Sequence, residues 1–200
     1  MSTTVIAVYN HLMGRWKPDA PSRLEQAALE LYSEGGFQQV TVEEIAQRAG
    51  LTERTFFRHF ADKREVLFSG AALLQEHLVQ ALENAPRSLP AIDAAGVAVE
   101  SALALFAERR PHARKRQAII DANPELQERE RIKLASLASA LADGLRRRGV
   151  SDPAAMLAAE MGITVFRIAF ERWIDDANER DTSQLVRESL NELKAVTAGK

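Results

Sequence analysis

No cysteine occurs in the 200 residues. That excludes disulfides, thiolate metal sites, cysteine nucleophiles and thiol redox sensing, and it agrees with a cytoplasmic protein. Nor does a signal-peptide pattern open the chain. Runs of alternating β-branched residues are nearly absent, which argues against sheets. Uninterrupted apolar runs are missing too. The two most apolar stretches, residues 94–107 and 154–170, are broken by Glu100 and by Glu160 and Arg167, and neither reaches the ~20 residues a bilayer span needs. No membrane partner is expected. Charge of one sign is also lacking: 26 Lys and Arg stand against 28 Asp and Glu, net −2. Even residues 1–68 hold 8 basic against 9 acidic side chains, so overall charge does not announce a nucleic-acid partner.

What is present is a helical vocabulary. Hydrophobic residues make up 46% of the chain, ample for a core, and strong helix formers dominate, so the fold class is all-α. The densest information lies in residues 41–63. Thr41 is a good N-cap, and Glu44 three residues on can close a capping box. Val42, Ile45, Ala46 and Ala49 give one apolar helical face, and Gly50 ends the helix in a turn that favours a left-handed residue. Thr52 caps a second helix in which Phe56 and Phe60, four apart, face inward. Arg54, Thr55, Arg58 and His59 then point outward. A short helix that is apolar behind and Thr- and Arg-bearing in front suits a DNA major groove.

The flanks extend the pattern. Residues 1–21 read as a flexible arm punctuated by Gly14, Pro18 and Pro21, with Arg15 and Lys17 beside Trp16. Ser22 with Glu25 forms a capping box opening the first helix, whose Leu24, Ala27, Ala28 and Leu31 share a face. Gly35 and Gly36 stop it, and Phe37 joins the core with Ile45, Leu51, Phe56 and Phe60. Asp62 with Glu65 opens a long fourth helix expected to continue to about Asn84. Beyond Pro90 the pattern gives five helical segments, at about 91–109, 111–122, 124–148, 153–178 and 182–196. The total is about nine helices: a helix-turn-helix DNA-binding domain at 22–68 and a helical bundle at 69–200.

Gly36-Phe37, Thr41-Val42, Ile45-Ala46, Ala49-Gly50-Leu51-Thr52, Phe60 and Lys63 together resemble the N-terminal domain of the TetR/AcrR transcriptional repressors, over about residues 22–68. The resemblance implies DNA contacts. Thr41, Thr52, Phe57, Arg58 and Lys63 match positions that typically meet the phosphate backbone; Glu53, Arg54 and Thr55 are placed for base edges, with His59 beside them. Phe57 stands where the family often has Tyr, and His59 replaces another frequent Tyr. A phenolic phosphate contact is therefore unavailable at 57, leaving apolar contact to sugar or a thymine methyl.

The second half carries no recognisable catalytic or metal site, so no enzyme, cofactor or metal is expected. His11, His59, His77 and His112 are scattered without ligand spacing, and no Gly-rich phosphate loop appears. More loosely, residues 109–174 resemble the C-terminal domain of the actinobacterial branch that includes mycofactocin-system regulators. That resemblance implies a small hydrophobic or acyl-CoA-like effector and a homodimer. Phe106, Ile119, Ile120, Leu126, Leu134, Leu137, Leu141, Met161, Phe166, Phe170 and Trp173 are the candidate pocket walls, though each serves equally as plain core. The run Arg109, Arg110, Arg114, Lys115, Arg116 is a candidate anion mouth, with Arg114 and Arg116 as ligand residues, or simply a solvated basic surface. Ala154, Ala155, Ala158, Ala159 and Gly162 form a small-residue stripe, and Leu185, Leu190, Leu193 and Val196 an apolar face. Ala158, Gly162, Leu190 and Leu193 are the expected dimer seam, although intrachain packing explains either stripe. The reading is a repressor released from a palindromic, double-stranded operator by a hydrophobic ligand. The alternative is a DNA-binding regulator without effector, whose second half serves dimerisation only.

Overall fold

The computed structural model describes residues 19–175 and 180–199. Among them are nine α-helices, one 3-10 turn and no strand. The chain divides into two compact units at Ser69 and Gly70. Residues 1–18 of the expected arm, 1–21, lie outside the described residues, as does the 176–178 end of the fourth bundle segment.

In the first unit, α1 spans Ala20–Gly35, α2 Val42–Arg48 and α3 Glu53–His59. The start of α1 differs from the Ser22 cap expected. Asp19 is the N-cap, accepting from the Ser22 amide at 3.0 Å, and Pro21 sits in the first turn, where its missing N–H costs nothing. Ala20 and Pro21 thus belong to the helix, not the arm. Leu24, Phe37, Ile45, Phe56 and Val66 are buried as the core of this unit. Tyr32 meets Phe37 edge-on at 5.0 Å, and Phe56 meets Phe60 at 5.5 Å.

The long helix expected from Asp62 is interrupted. Asp62 does cap, accepting from the Arg64 and Glu65 amides at 2.8 and 3.2 Å. The chain it caps makes only a 3-10 turn, Glu65–Phe68. Val66, Leu67 and Phe68 are all buried, and three consecutive inward side chains do not fit one face of an α-helix. Ser69-Gly70 then breaks the path before α4.

The second unit comprises α4 (Ala71–Asn84), α5 (Ala91–Ala104), α6 (Arg110–Asp121), α7 (Pro124–Arg147), α8 (Asp152–Asp175) and α9 (Thr182–Thr197). Helix α5 stops five residues earlier than expected, in turns at 105–108. Helix α8 is the centre of the bundle, packed on α5, α7 and α9. With 24 residues it is long and apolar enough to cross a membrane. Ala155, Ala159, Ile163, Phe166 and Ala169 are nevertheless buried in the bundle core, which accounts for the apolarity without a bilayer. Arg148 closes the C-terminal end of α4 by donating to the Leu82, Ala85 and Pro86 carbonyls at 2.9, 2.9 and 2.7 Å.

Candidate nucleic-acid interface and the helical bundle behind it

The turn between α2 and α3 is held from both sides. Thr41 and Glu44 form the reciprocal capping box: the Glu44 amide donates to Thr41 Oγ1 at 3.2 Å and the Thr41 amide to Glu44 Oε2 at 2.8 Å. At the other end Gly50 takes φ +64°, a conformation costly for any residue with a Cβ. A Cβ there would also lie 2.9 Å from the Arg23 guanidinium. That guanidinium donates to the Ala49 carbonyl, so α1 ties down the last turn of α2. Arg48 reaches back to Glu34 at 3.0 Å and Glu30 at 3.5 Å, and two acidic residues of α1 are thereby paired. Arg23 and Arg48 carry no local signal of these roles, because their partners lie on other elements.

Helix α3 opens on Thr52, whose Oγ1 accepts from the Thr55 amide at 3.2 Å and lies 3.0 Å from Thr55 Oγ1. Phe56 and Phe60 are buried, while Glu53, Arg54, Phe57, Arg58 and His59 are exposed and Thr55 is half-exposed. Arg54 makes no ion pair among the described residues, and Arg58 Nη2 donates to His59 Nε2 at 3.3 Å. Phe57, 54% exposed, leans edge-on against Phe56 at 5.4 Å. The helix therefore offers two arginines, threonine hydroxyls and one aromatic ring to solvent over an aromatic anchor. A narrow helix of this kind fits a major groove.

Lys63 does something the sequence did not foretell. Its ammonium donates to the carbonyls of Phe37, Gln38 and Val40 at 2.9, 3.1 and 2.9 Å and lies 4.6 Å from the Phe37 ring centroid. The Lys63 carbonyl in turn accepts from Tyr32 Oη at 2.7 Å. Burial, with the Asp62 charge adding to it, pushes the Tyr32 phenol well above its ordinary value, so it stays a donor. An ammonium has three protons, and all three go to the loop between α1 and α2. The ammonium expected at a phosphate is thus engaged within its own chain.

The candidate ligand residues of the second unit fall into separate places. Phe106, Phe166, Phe170 and Trp173 form one aromatic cluster, with ring centroids 5.6 to 6.4 Å apart. Leu137 belongs to the main core, whereas Ile119 and Ile120 are buried apart from it on α6. Met161 is half-exposed on α8. Three arginines of the basic run are engaged within the chain. Arg110 and Arg114 donate to the carbonyls of Trp173 and Ile174 near the end of α8, the latter at 2.7 Å, which suits cations at a helix C-terminus. Arg116 pairs with Glu130 at 3.4 Å. A cavity of about 210 Å³ between α6 and the end of α8 is lined by Arg114, Gln117, Ala118, Asp121, Glu171, Ile174 and Asp175; five of these seven are polar or charged, and only Arg114 is shared with the expected ligand residues.

The expected dimer seam faces inward. Ala158 is buried, and a Cβ on Gly162 would stand 3.2 Å from Ala95 Cβ and from Leu141 Cδ2. Gly162 thus permits close approach of α8 to α5 and α7 inside one chain. Leu190 covers Gly96, where a Cβ would come within 2.6 Å of it, and Leu193 packs on the same core. Small-residue periodicity reports close packing but not with which partner.

Comparison with known proteins fits this architecture. The profile of bacterial regulatory proteins of the tetR family matches residues 25–69, and that of the MftR C-terminal domain matches residues 89–198. The chain is 26% identical over 176 residues to a candidate mycofactocin biosynthesis transcriptional regulator, MftR, of Mycobacterium tuberculosis, covering 86% of this chain and 89% of that protein. Two solved structures share the fold. One is Thermus thermophilus FadR, a TetR-family transcriptional repressor in complex with lauroyl-CoA: TM-score 0.51, 24% identity, 87% of this chain and 93% of that one. The other is Bacillus subtilis FadR in complex with stearoyl-CoA: TM-score 0.55, 20% identity, 86% and 96%. With its second profile spanning more than half its length, the chain belongs to the tetR family of bacterial regulatory proteins and is a TetR-family transcriptional regulator with an MftR-type C-terminal domain.

Proposed function

We propose that this regulator is a homodimeric repressor, acting in the cytoplasm, that reads a palindromic operator with α3 of each subunit. The observation that carries it is α3 itself, with Phe56 and Phe60 buried and Arg54, Phe57 and Arg58 exposed. In this reading Glu53, Arg54 and Thr55 address base edges. Thr41, Thr52 and Arg58 meet phosphates, His59 supports Arg58, and Phe57 contacts sugar or a thymine methyl. Lys63 acts indirectly, by fixing the loop that leads into α2.

The repressor is released by a small, largely apolar ligand that opens the Phe106, Phe166, Phe170 and Trp173 cluster of the second unit. Acyl-CoA bound to two proteins of the same fold supports this class. Release needs only that the ligand favour the DNA-incompetent state, and a tenfold loss of operator affinity corresponds to ~1.4 kcal/mol of differential binding. A second reading, a regulator without effector, is favoured by a specific observation: the aromatic rings pack on one another, and Arg110, Arg114 and Arg116 are engaged within the chain.

The test is a gel shift on DNA from the protein's own promoter region with random-sequence competitor, repeated with lauroyl- and stearoyl-CoA. A specific shift lost on adding an acyl-CoA supports the whole proposal. A specific shift indifferent to acyl-CoA and to an apolar metabolite panel leaves the second reading. No specific shift overturns both.

A further inference from the structure

The outward face of α3 holds a single acid. Its exposed side chains are Glu53, Arg54, Phe57, Arg58 and His59, and of these only Glu53 is anionic. Glu53 is the first residue of the helix. The positions three and four further on, where a helix supplies a partner, hold Phe56 and Phe57. Glu53 makes no ion pair among the described residues. Residues 1–68 already hold 9 acids against 8 bases, so one more carboxylate on the groove side weakens attraction to every phosphate. The other polar groups of this face are donors or are engaged. Arginine has no acceptor. Thr52 Oγ1 accepts from the Thr55 amide at 3.2 Å and lies 3.0 Å from Thr55 Oγ1. His59 Nε2 meets Arg58 Nη2 at 3.3 Å. The Glu53 carboxylate is thus the strong acceptor that α3 presents outward.

Resting on the operator reading above, we propose that Glu53 selects a C·G pair at one position of each half-site, its carboxylate accepting from the exocyclic amine of the cytosine in the major groove. Elimination leads there. A phosphate repels a carboxylate, and guanine N7 and O6 and thymine O4 are themselves acceptors. Adenine offers an amine, but beside N7, whose lone pair faces the second carboxylate oxygen. The cytosine amine lies beside a C–H instead, and the carboxylate meets no competing acceptor on that base. At any other pair the carboxylate loses water without gaining a donor, and that penalty is the discrimination. Glu53 therefore lowers affinity for DNA in general and restores it at one base pair. An acid in the first turn also favours the helix by facing its positive end. That contribution is indifferent to DNA sequence, so experiment separates the two.

Selection from random duplexes with the full-length protein gives the half-site. Anisotropy titrations on every single-base-pair substitution of it then compare wild type, Glu53→Ala and Glu53→Gln. Wild type is expected to lose on the order of tenfold in affinity when one C·G pair is replaced. Glu53→Ala is expected to level that position and no other, and to bind random duplex more tightly than wild type does. Glu53→Gln is expected to move the preference there to adenine, whose amine and N7 together fit a carboxamide. Circular dichroism and the urea midpoint report folding independently of DNA; the isosteric Glu53→Gln carries the result if the alanine variant is not folded. Base preferences that stay as in wild type in both variants, whether affinity rises uniformly or only the urea midpoint falls, overturn the proposal and leave the operator reading intact. So does a half-site in which the position altered by Glu53→Ala is not C·G. A wild-type protein that selects no sequence overturns both.

Discussion

Arg54 on α3 and Lys63 just beyond its end are both basic, yet their surroundings suit them to opposite work. Arg54 is exposed and makes no ion pair among the described residues, so its guanidinium is available for a bidentate contact to guanine. Arg54→Ala is expected to cost ~1–3 kcal/mol on the operator and to relax specificity at one base pair. Anisotropy titrations on operator and random duplexes decide it, because equal loss on both assigns Arg54 to the backbone instead. Lys63 is saturated by three carbonyls. Hydrogen bonds from a charged donor are worth ~1.5–3 kcal/mol singly and are not additive. Lys63→Ala is therefore expected to lower the urea midpoint of unfolding while leaving the salt dependence of DNA binding unchanged. A slope of log K against log salt that falls by about 1 returns Lys63 to the phosphates.

At the scale of elements, the first unit depends on its carboxylate caps. Asp19 is held below its ordinary 3.8 by hydrogen bonds from Ser22, and Asp62 below the same value chiefly by Arg64. Glu44 is held below 4.5 first by the Thr41 amide and then by the Thr41 hydroxyl. All three shifts are downward, so their stabilisation is complete above the ordinary values and is lost as pH falls through the lowered ones. The urea midpoint of this unit is expected to hold from pH 7 to about 5 and to fall below about 4.5. Glu44→Gln is expected to make that fall shallower, and an unchanged acid limb removes the capping box as its source. This box was legible in the sequence because its partners lie three residues apart. So was the Gly50 turn. The break at Ser69-Gly70 was not, since Val66, Leu67 and Phe68 read as helix until a core claims all three at once. Nor was the inward turn of Gly162: Ala95 and Leu141, which it admits, come from other helices. The same limit hid Lys63 and Arg114, whose acceptors are main-chain carbonyls 23 and 60 residues away. Sequence periodicity identifies a face; tertiary neighbours decide what the face meets.

At the scale of the whole molecule, the proposed function requires two heads on one duplex. A single seven-residue α3 reaches only a few base pairs, and like faces of B-DNA recur every ~34–36 Å, about 10–10.5 base pairs. A homodimer is expected to protect two half-sites at that centre-to-centre spacing or a multiple of it. Inserting five base pairs between them turns one half-site to the far side of the duplex, and affinity should fall to the level of a lone half-site. Inserting ten restores the face but lengthens the reach, so recovery measures the compliance of the assembled dimer. Leu157 is 65% exposed on α8, and placing Arg there puts an unpaired charge on each copy wherever a second subunit covers that face. That variant is expected to bind the intact operator no better than wild type binds the five-base-pair insertion. Anisotropy on this series of duplexes reads both effects together. A Leu157→Arg protein that remains monomeric yet holds wild-type operator affinity shows that one head suffices and sinks the palindromic reading.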